Sequence, residues 1–169
     1  MFDPRRLRSL FGGGSAAARP GDVDLARDPE LRAALSLLVR GRSEEALAAL
    51  EAVLAEERLA PALAAEASSK RGVALVALGR RSEALEAFAE ALLRDERCAP
   101  ALVNLGNLLL EDGAPHDAID FYEAALRADA AYAPAHRGLG VASKRLGRRG
   151  DSVRAFRAES RHAVRRPKP

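Results

Sequence analysis

The groups from which enzymes most often build reactive centres are sparse in this sequence: the thiol of Cys98 and the imidazoles of His116, His136 and His162. A metal centre needs His, Cys, Asp or Glu at ligand spacing, and a side-chain nucleophile needs a base within hydrogen-bond reach. The three histidines stand in separate stretches of the chain with no ligand set around them. His116 precedes Asp117 in a predicted turn, where a solvated ring is the ordinary outcome. Cys98 precedes Ala99-Pro100 at a predicted helix boundary, which asks only for a small side chain. As the single cysteine it forms no internal disulfide and suits a reducing compartment. The glycines recur at intervals and do not cluster into a phosphate-cradling loop. The pattern predicts no catalytic residue, no metal and no cofactor, and a protein that acts through its surface.

The elements that carry that surface are helices. The chain has 169 residues, enough for a real core. Its 48% hydrophobic content is carried by Ala and Leu, with only 4% aromatics. Ala and Leu are strong helix formers, and the residues that favour strands are scarce. No apolar run approaches the ~20 residues that span a bilayer. Arg8 interrupts the apolar stretch near the start, so no signal peptide is expected and the cytoplasm is the expected location. Charge is unevenly placed. Residues 1–20 hold four Arg against one Asp, residues 21–132 hold 12 Lys and Arg against 21 acids, and residues 133–169 hold 11 Lys and Arg against two acids. An acidic body with basic ends steers charged partners.

Self-comparison sets the architecture. Gly72, Gly106 and Gly140 recur at 34-residue steps, as do Gly79, Gly113 and Gly147 and the large residues Phe88, Tyr122 and Phe156. Ala84 with Ala118, and Ala91 with Ala125, share the register. A period near 34 with two helical patterns per unit marks a helix-turn-helix solenoid. The segment "NLGNLLLEDGAPHDAIDFYEAALRAD" resembles the tetratricopeptide repeat family through Leu105-Gly106, Gly113, Ala118, Tyr122 and Ala125. The expected fold is all-α, a right-handed α-solenoid of about four such hairpins over 27–163, in units 27–64, 65–98, 99–132 and 133–163. Residues 1–26 form a basic N-terminal segment and linker, and 164–169 a basic tail. Helices are predicted at 29–40, 43–57, 62–78, 81–94, 100–112, 115–128, 134–146 and 149–163. The step from Gly41 to Gly79 is 38, and four extra residues are about one helical turn, so helix 62–78 is expected to be extended. Phe88 and Tyr122 are expected to be buried. Arg71 stands where the register places Leu105 and Leu139, and the register does not explain it; a snorkelling stem is the one reading it offers. In the last unit Ser152 and Glu159 replace alanines, as suits an end repeat whose outer face meets water.

The resemblance implies a non-enzymatic adaptor or scaffold, because the first helix of each hairpin in that family lines a groove that holds extended peptides. By register the groove-facing positions are Ser69, Lys70 and Val73, then Val103, Asn104, Asn107 and Leu110, then Arg137, Val141 and Lys144. The asparagines suit a peptide backbone, and Lys70, Arg137 and Lys144 suit carboxylates. Val103 stands where some relatives carry the lysine of a carboxylate clamp, so that clamp is not expected. The partner is expected to be another protein or peptide.

Both ends offer further readings. "MFDPRRLRSLFGGG" starts like a helix, with Asp3 as cap and Pro4 in the first turn, and is followed by a flexible glycine-rich linker. It is too short to be stable alone. Its stripe of Phe2, Leu7, Leu10 and Phe11 predicts a docking helix for a protein groove, including that of a neighbouring copy in a homo-oligomer, with an anionic membrane surface as the second choice. The basic end, 137–168, has the charge for nucleic acid but lacks free aromatics to stack on bases, since the core takes Phe156. Nucleic acid is therefore the disfavoured alternative.

Overall fold

The computed structural model describes residues 28–163. Among them are α1 (Pro29–Val39), α2 (Ser43–Ala55), α3 (Pro61–Ala77), α4 (Arg81–Arg94), α5 (Ala99–Glu111), α6 (Pro115–Ala128), α7 (Ala133–Arg145) and α8 (Arg149–Ala163), with no strand. They pair in sequence as four hairpins, the all-α solenoid architecture that the period predicts. The proposed docking residues Phe2, Leu7, Leu10 and Phe11 and the tail 164–169 lie outside the described residues. The molecule forms two compact units divided between Ala101 and Leu102. The first holds α1 to α4, and the second holds most of α5 with α6 to α8.

Local chemistry sets the helix limits. The first helix begins where the Asp28 carboxylate accepts the Leu31 backbone N–H at 2.9 Å, with Pro29 in the first turn. Arg58 pairs with Asp28, Glu30 and Glu56, and its hydrogen bond to Asp28 holds that carboxyl below its ordinary value. The recurring turn glycines end the first helix of each hairpin. Gly113, for example, adopts φ +76°, its N–H bonds Leu110 O at 3.2 Å, and the Ala114 N–H bonds Leu109 O at 2.9 Å. That left-handed helix end strains any residue with a Cβ. The extra residues of the longer repeat lie inside α3, which has 17 residues against 13 in α5.

Each unit buries its own apolar face. In the first, Leu31, Leu50, Val53 and Leu54 close on Ala64 and Ala67. Phe88 packs against Gly72 and is 1% exposed. In the second, Tyr122 is fully buried, and its ring lies against both Gly106 and Gly138. An added Cβ would come within 2.7 Å of the ring at Gly106 and 2.4 Å at Gly138, so neither position admits a side chain without movement. Gly138 occupies the register of Lys70 and Asn104. Its glycine follows from the ring.

Candidate functional site

On α3, Lys70, Val73 and Val76 follow one another at three-residue steps and therefore share a face. Val73 is 38% exposed and Val76 42%, while Lys70 is half-buried. Val76 was not among the expected positions, although the register of Leu110 and Lys144 points to it. Ser69 does not join this face. It is fully buried beside Ser68, and neither hydroxyl has a hydrogen-bond partner. One step from Lys70 turns a helical residue through about 100°, enough to carry Ser69 into the interior.

Arg71 is resolved by its neighbour. Its guanidinium bonds the Glu90 carboxylate at 2.6 Å, and Arg94 bonds the other oxygen of Glu90 at 2.8 Å. Burial acts to raise the Glu90 carboxyl, but hydrogen bonds and charge from Arg94 and Arg71 outweigh it and hold it below its ordinary value. Glu90 stands in the register of Ala124 and Ala158. The two departures from the repeat compensate each other.

In the second unit Asn104 and Asn107 are half-buried on α5, while Val103 and Leu110 are buried at 4% and 7% exposure and offer no binding surface. Asn107 is partly committed to the fold: its side-chain oxygen accepts the Tyr122 hydroxyl at 2.9 Å. Burial pushes the Tyr122 phenol up, which keeps it protonated and a donor. On α7, Arg137 bonds Glu159 at 2.6 Å, Val141 is half-buried and Lys144 is exposed. Glu159, one of the end-repeat replacements, thus serves Arg137. Ser152, the other, donates to the Gly140 carbonyl at 2.9 Å. Arg145 donates to the Leu110 carbonyl near the end of α5.

Cys98, His136 and His162 are engaged structurally, and His116 is exposed in the first turn of α6 rather than in a turn between helices. Cys98 is buried, and burial pushes its thiol up to about 12, far from the thiolate a nucleophile needs. His136 stacks on His162 with ring centres 5.3 Å apart and meets the Ala130 carbonyl at 3.0 Å. Among the described residues no group of His, Cys, Asp and Glu is placed to hold a metal, and no helix is long and apolar enough to cross a membrane.

The tetratricopeptide repeat model matches residues 31–80 and 69–133, more than half of the chain. The chain belongs to the tetratricopeptide repeat family. Members of this family are generally non-enzymatic adaptors. No curated protein matches the chain in sequence. Among solved structures, a MamA crystal structure is similar over 97% of this chain and 96% of its own, with a TM-score of 0.63 and 20% identity. MamA residues 41 to the end from Desulfovibrio magneticus RS-1 match over 83% of this chain and 77% of that one, with a TM-score of 0.61 and 26% identity. These likenesses concern the fold.

Proposed function

We propose that this tetratricopeptide repeat protein is a non-catalytic adaptor that binds an extended segment of another protein along the first helices of its hairpins. The family and the fold support a protein-interaction scaffold, and the observation that carries the finer reading is the exposed Val73–Val76 pair beside Lys70. Two valines open to water on one helix face cost hydration that a bound apolar segment would relieve. In the second unit the surface positions are Asn104, the remaining donors of Asn107, Val141 and Lys144. Arg137 contributes once it parts from Glu159. Replacing Val73 and Val76 together by Glu should leave helicity intact and remove capture of the physiological partner in a pull-down from the native host. Undiminished capture by that variant refutes the site.

The docking reading of residues 1–14, through Phe2, Leu7, Leu10 and Phe11, is tested by deleting them. Partner capture or self-association should fall while the melting temperature holds. The alternative, nucleic acid or an anionic membrane surface held by the basic ends, draws on Arg157 and Arg161, exposed on α8 with no acidic partner among the described residues. It requires tight binding to nonspecific RNA or anionic vesicles that weakens steeply with salt.

A further inference from the structure

Between α6, α7 and α8 the second unit holds an open cavity of about 350 Å³. Its origin is visible in the register. In the third hairpin Leu102, Leu105, Leu109, Phe121 and Ala124 are all buried. Their counterparts 34 residues later, His136, Leu139, Ser143, Ala155 and Ala158, line the cavity. A phenylalanine has become alanine and two leucines have become histidine and serine. The second hairpin also has alanine, Ala87, at the phenylalanine position, but there the Arg71–Glu90 pair joins the two helices at the neighbouring positions. The fourth hairpin has Leu139 and Ala158 in place of that pair, and its space stays open. Ile119 and Leu126 of α6 supply the apolar opposite wall.

The rim is charged. Arg148 is exposed with no acidic partner among the described residues, and Arg154 lies beside it, paired with Asp151. Arg154, Arg157 and Arg161 then run at three- and four-residue steps along one exposed face of α8. The lining itself sets Arg148 and Arg154 against Asp151 and Glu123, and the positive excess comes from the surrounding hairpin, where residues 133–163 carry eight Lys and Arg against two acids.

We propose that this cavity is a second binding site, distinct from the first-helix faces, and that it takes one aromatic side chain of an acidic segment belonging to another protein. The volume and apolar walls suit a large side chain, and the arginines around the mouth suit carboxylates on either side of it. Residues 1–20 of this chain carry aromatics but hold four Arg against one Asp, so like charges oppose them here. The exposed large apolar side chains among a second copy's described residues, Val39, Val73, Val76, Leu93 and Val153, are all aliphatic, and its partly exposed Phe156 covers Gly140.

The test is fluorescence-polarisation titration of the full chain with a labelled peptide of Asp and Glu around one tryptophan. Saturable binding is expected, weakened about tenfold or more when serine replaces the tryptophan or when the cavity is filled by Ala155→Phe. Ala155→Leu serves as the milder filling, with circular dichroism reporting that each variant is folded. Arg148→Glu combined with Arg157→Glu should weaken binding similarly, and Val73→Glu should leave it unchanged. The proposal is overturned if binding is not saturable, if a folded cavity-filled variant binds as well as the parent, or if an oligonucleotide or anionic vesicles displace the peptide whether or not the cavity is filled. It is also overturned if filling the cavity dissociates an oligomer of the parent, which would make a second copy the occupant.

Discussion

The second and third hairpins place different chemistry on the same register. In the third, Leu105 is fully buried and Ala124 is 6% exposed, and the central aromatic is Tyr122. In the second, those positions carry Arg71 and Glu90, joined at 2.6 Å, and the central aromatic is Phe88. The second hairpin also buries Ser68 and Ser69 without partners, where the third buries Leu102 and Val103. The third hairpin thus has an apolar core whose central ring also makes a satisfied polar contact, from Tyr122 to Asn107. The second trades apolar area for a partly exposed ion pair and leaves two hydroxyls unsatisfied. Net stabilisation from an exposed pair is small, and a buried hydroxyl without a partner is costly. The difference teaches that repeat geometry tolerates polar substitution where paired departures compensate, and that the third hairpin is the stronger packing element.

The sharpest way to break this comparison is to remove its central ring. Tyr122→Ala should cost about 3–5 kcal/mol in chemical denaturation, because the ring fills space against two glycines. Phe156→Ala should cost clearly less, since Phe156 is half-exposed although it covers Gly140 in the same manner. Equal losses at the two sites would mean that burial does not rank the hairpins. Tyr122→Phe isolates the hydroxyl and should cost about 1 kcal/mol.

That hydroxyl also shows how much of the molecule could be read from its sequence. The period, the helix limits and the burial of Phe88 and Tyr122 were legible because the register repeats them. The pairing of Tyr122 with Asn107 was legible in principle. Phe88 and Phe156 go with Val73 and Val141, and the tyrosine alone goes with an asparagine 15 residues earlier. Read one position at a time, Asn107 looked like a ligand-binding residue. Arg71 failed to make sense for the same reason: its compensating change, Glu90, lies on the other helix and is visible only when both columns of the register are compared. The burial of Ser69, Val103 and Leu110 was not legible from spacing, because the edge of a helical face is set by what packs beside it.

The unsatisfied hydroxyls give the next test. Ser68→Ala and Ser69→Ala should each raise stability by about 1 kcal/mol, since alanine keeps the packing of a small side chain and removes a desolvated group. The readout is the denaturation midpoint. A loss on either substitution would show that the hydroxyl has a partner in solution, and would bring the second hairpin closer to the third.

A smaller effect is expected from exchanging the ion pair for the apolar residues of the third hairpin. Arg71→Leu with Glu90→Ala should match or slightly exceed the parent in stability, while Glu90→Ala alone should lose up to about 1 kcal/mol by leaving Arg71 without its carboxylate. The coupling energy from the full double-mutant cycle, measured by denaturation, decides the point. Additive single effects would mean that the two residues do not compensate each other.

The smallest effect is the pH dependence of that same pair, and its sign follows from the proton balance. The Glu90 carboxyl is held below its ordinary value near 4.5 in the folded protein, so as pH falls the unfolded chain takes up the proton first. The stabilisation is therefore fully present above pH 4.5 and is lost as pH falls through the folded value. Asp28 has the same direction through its hydrogen bond from Arg58, so acid also loosens the start of α1. Glu83 shares the direction through its hydrogen bond from Arg80, so Asp28→Asn removes one part of that background. In the Asp28→Asn chain, adding Arg71→Leu with Glu90→Ala should flatten the fall in melting temperature below pH 4.5. An unchanged slope would show that the Glu90 carboxyl titrates in the folded protein as it does in the unfolded chain, and that the pair is a surface contact with no hold on its proton.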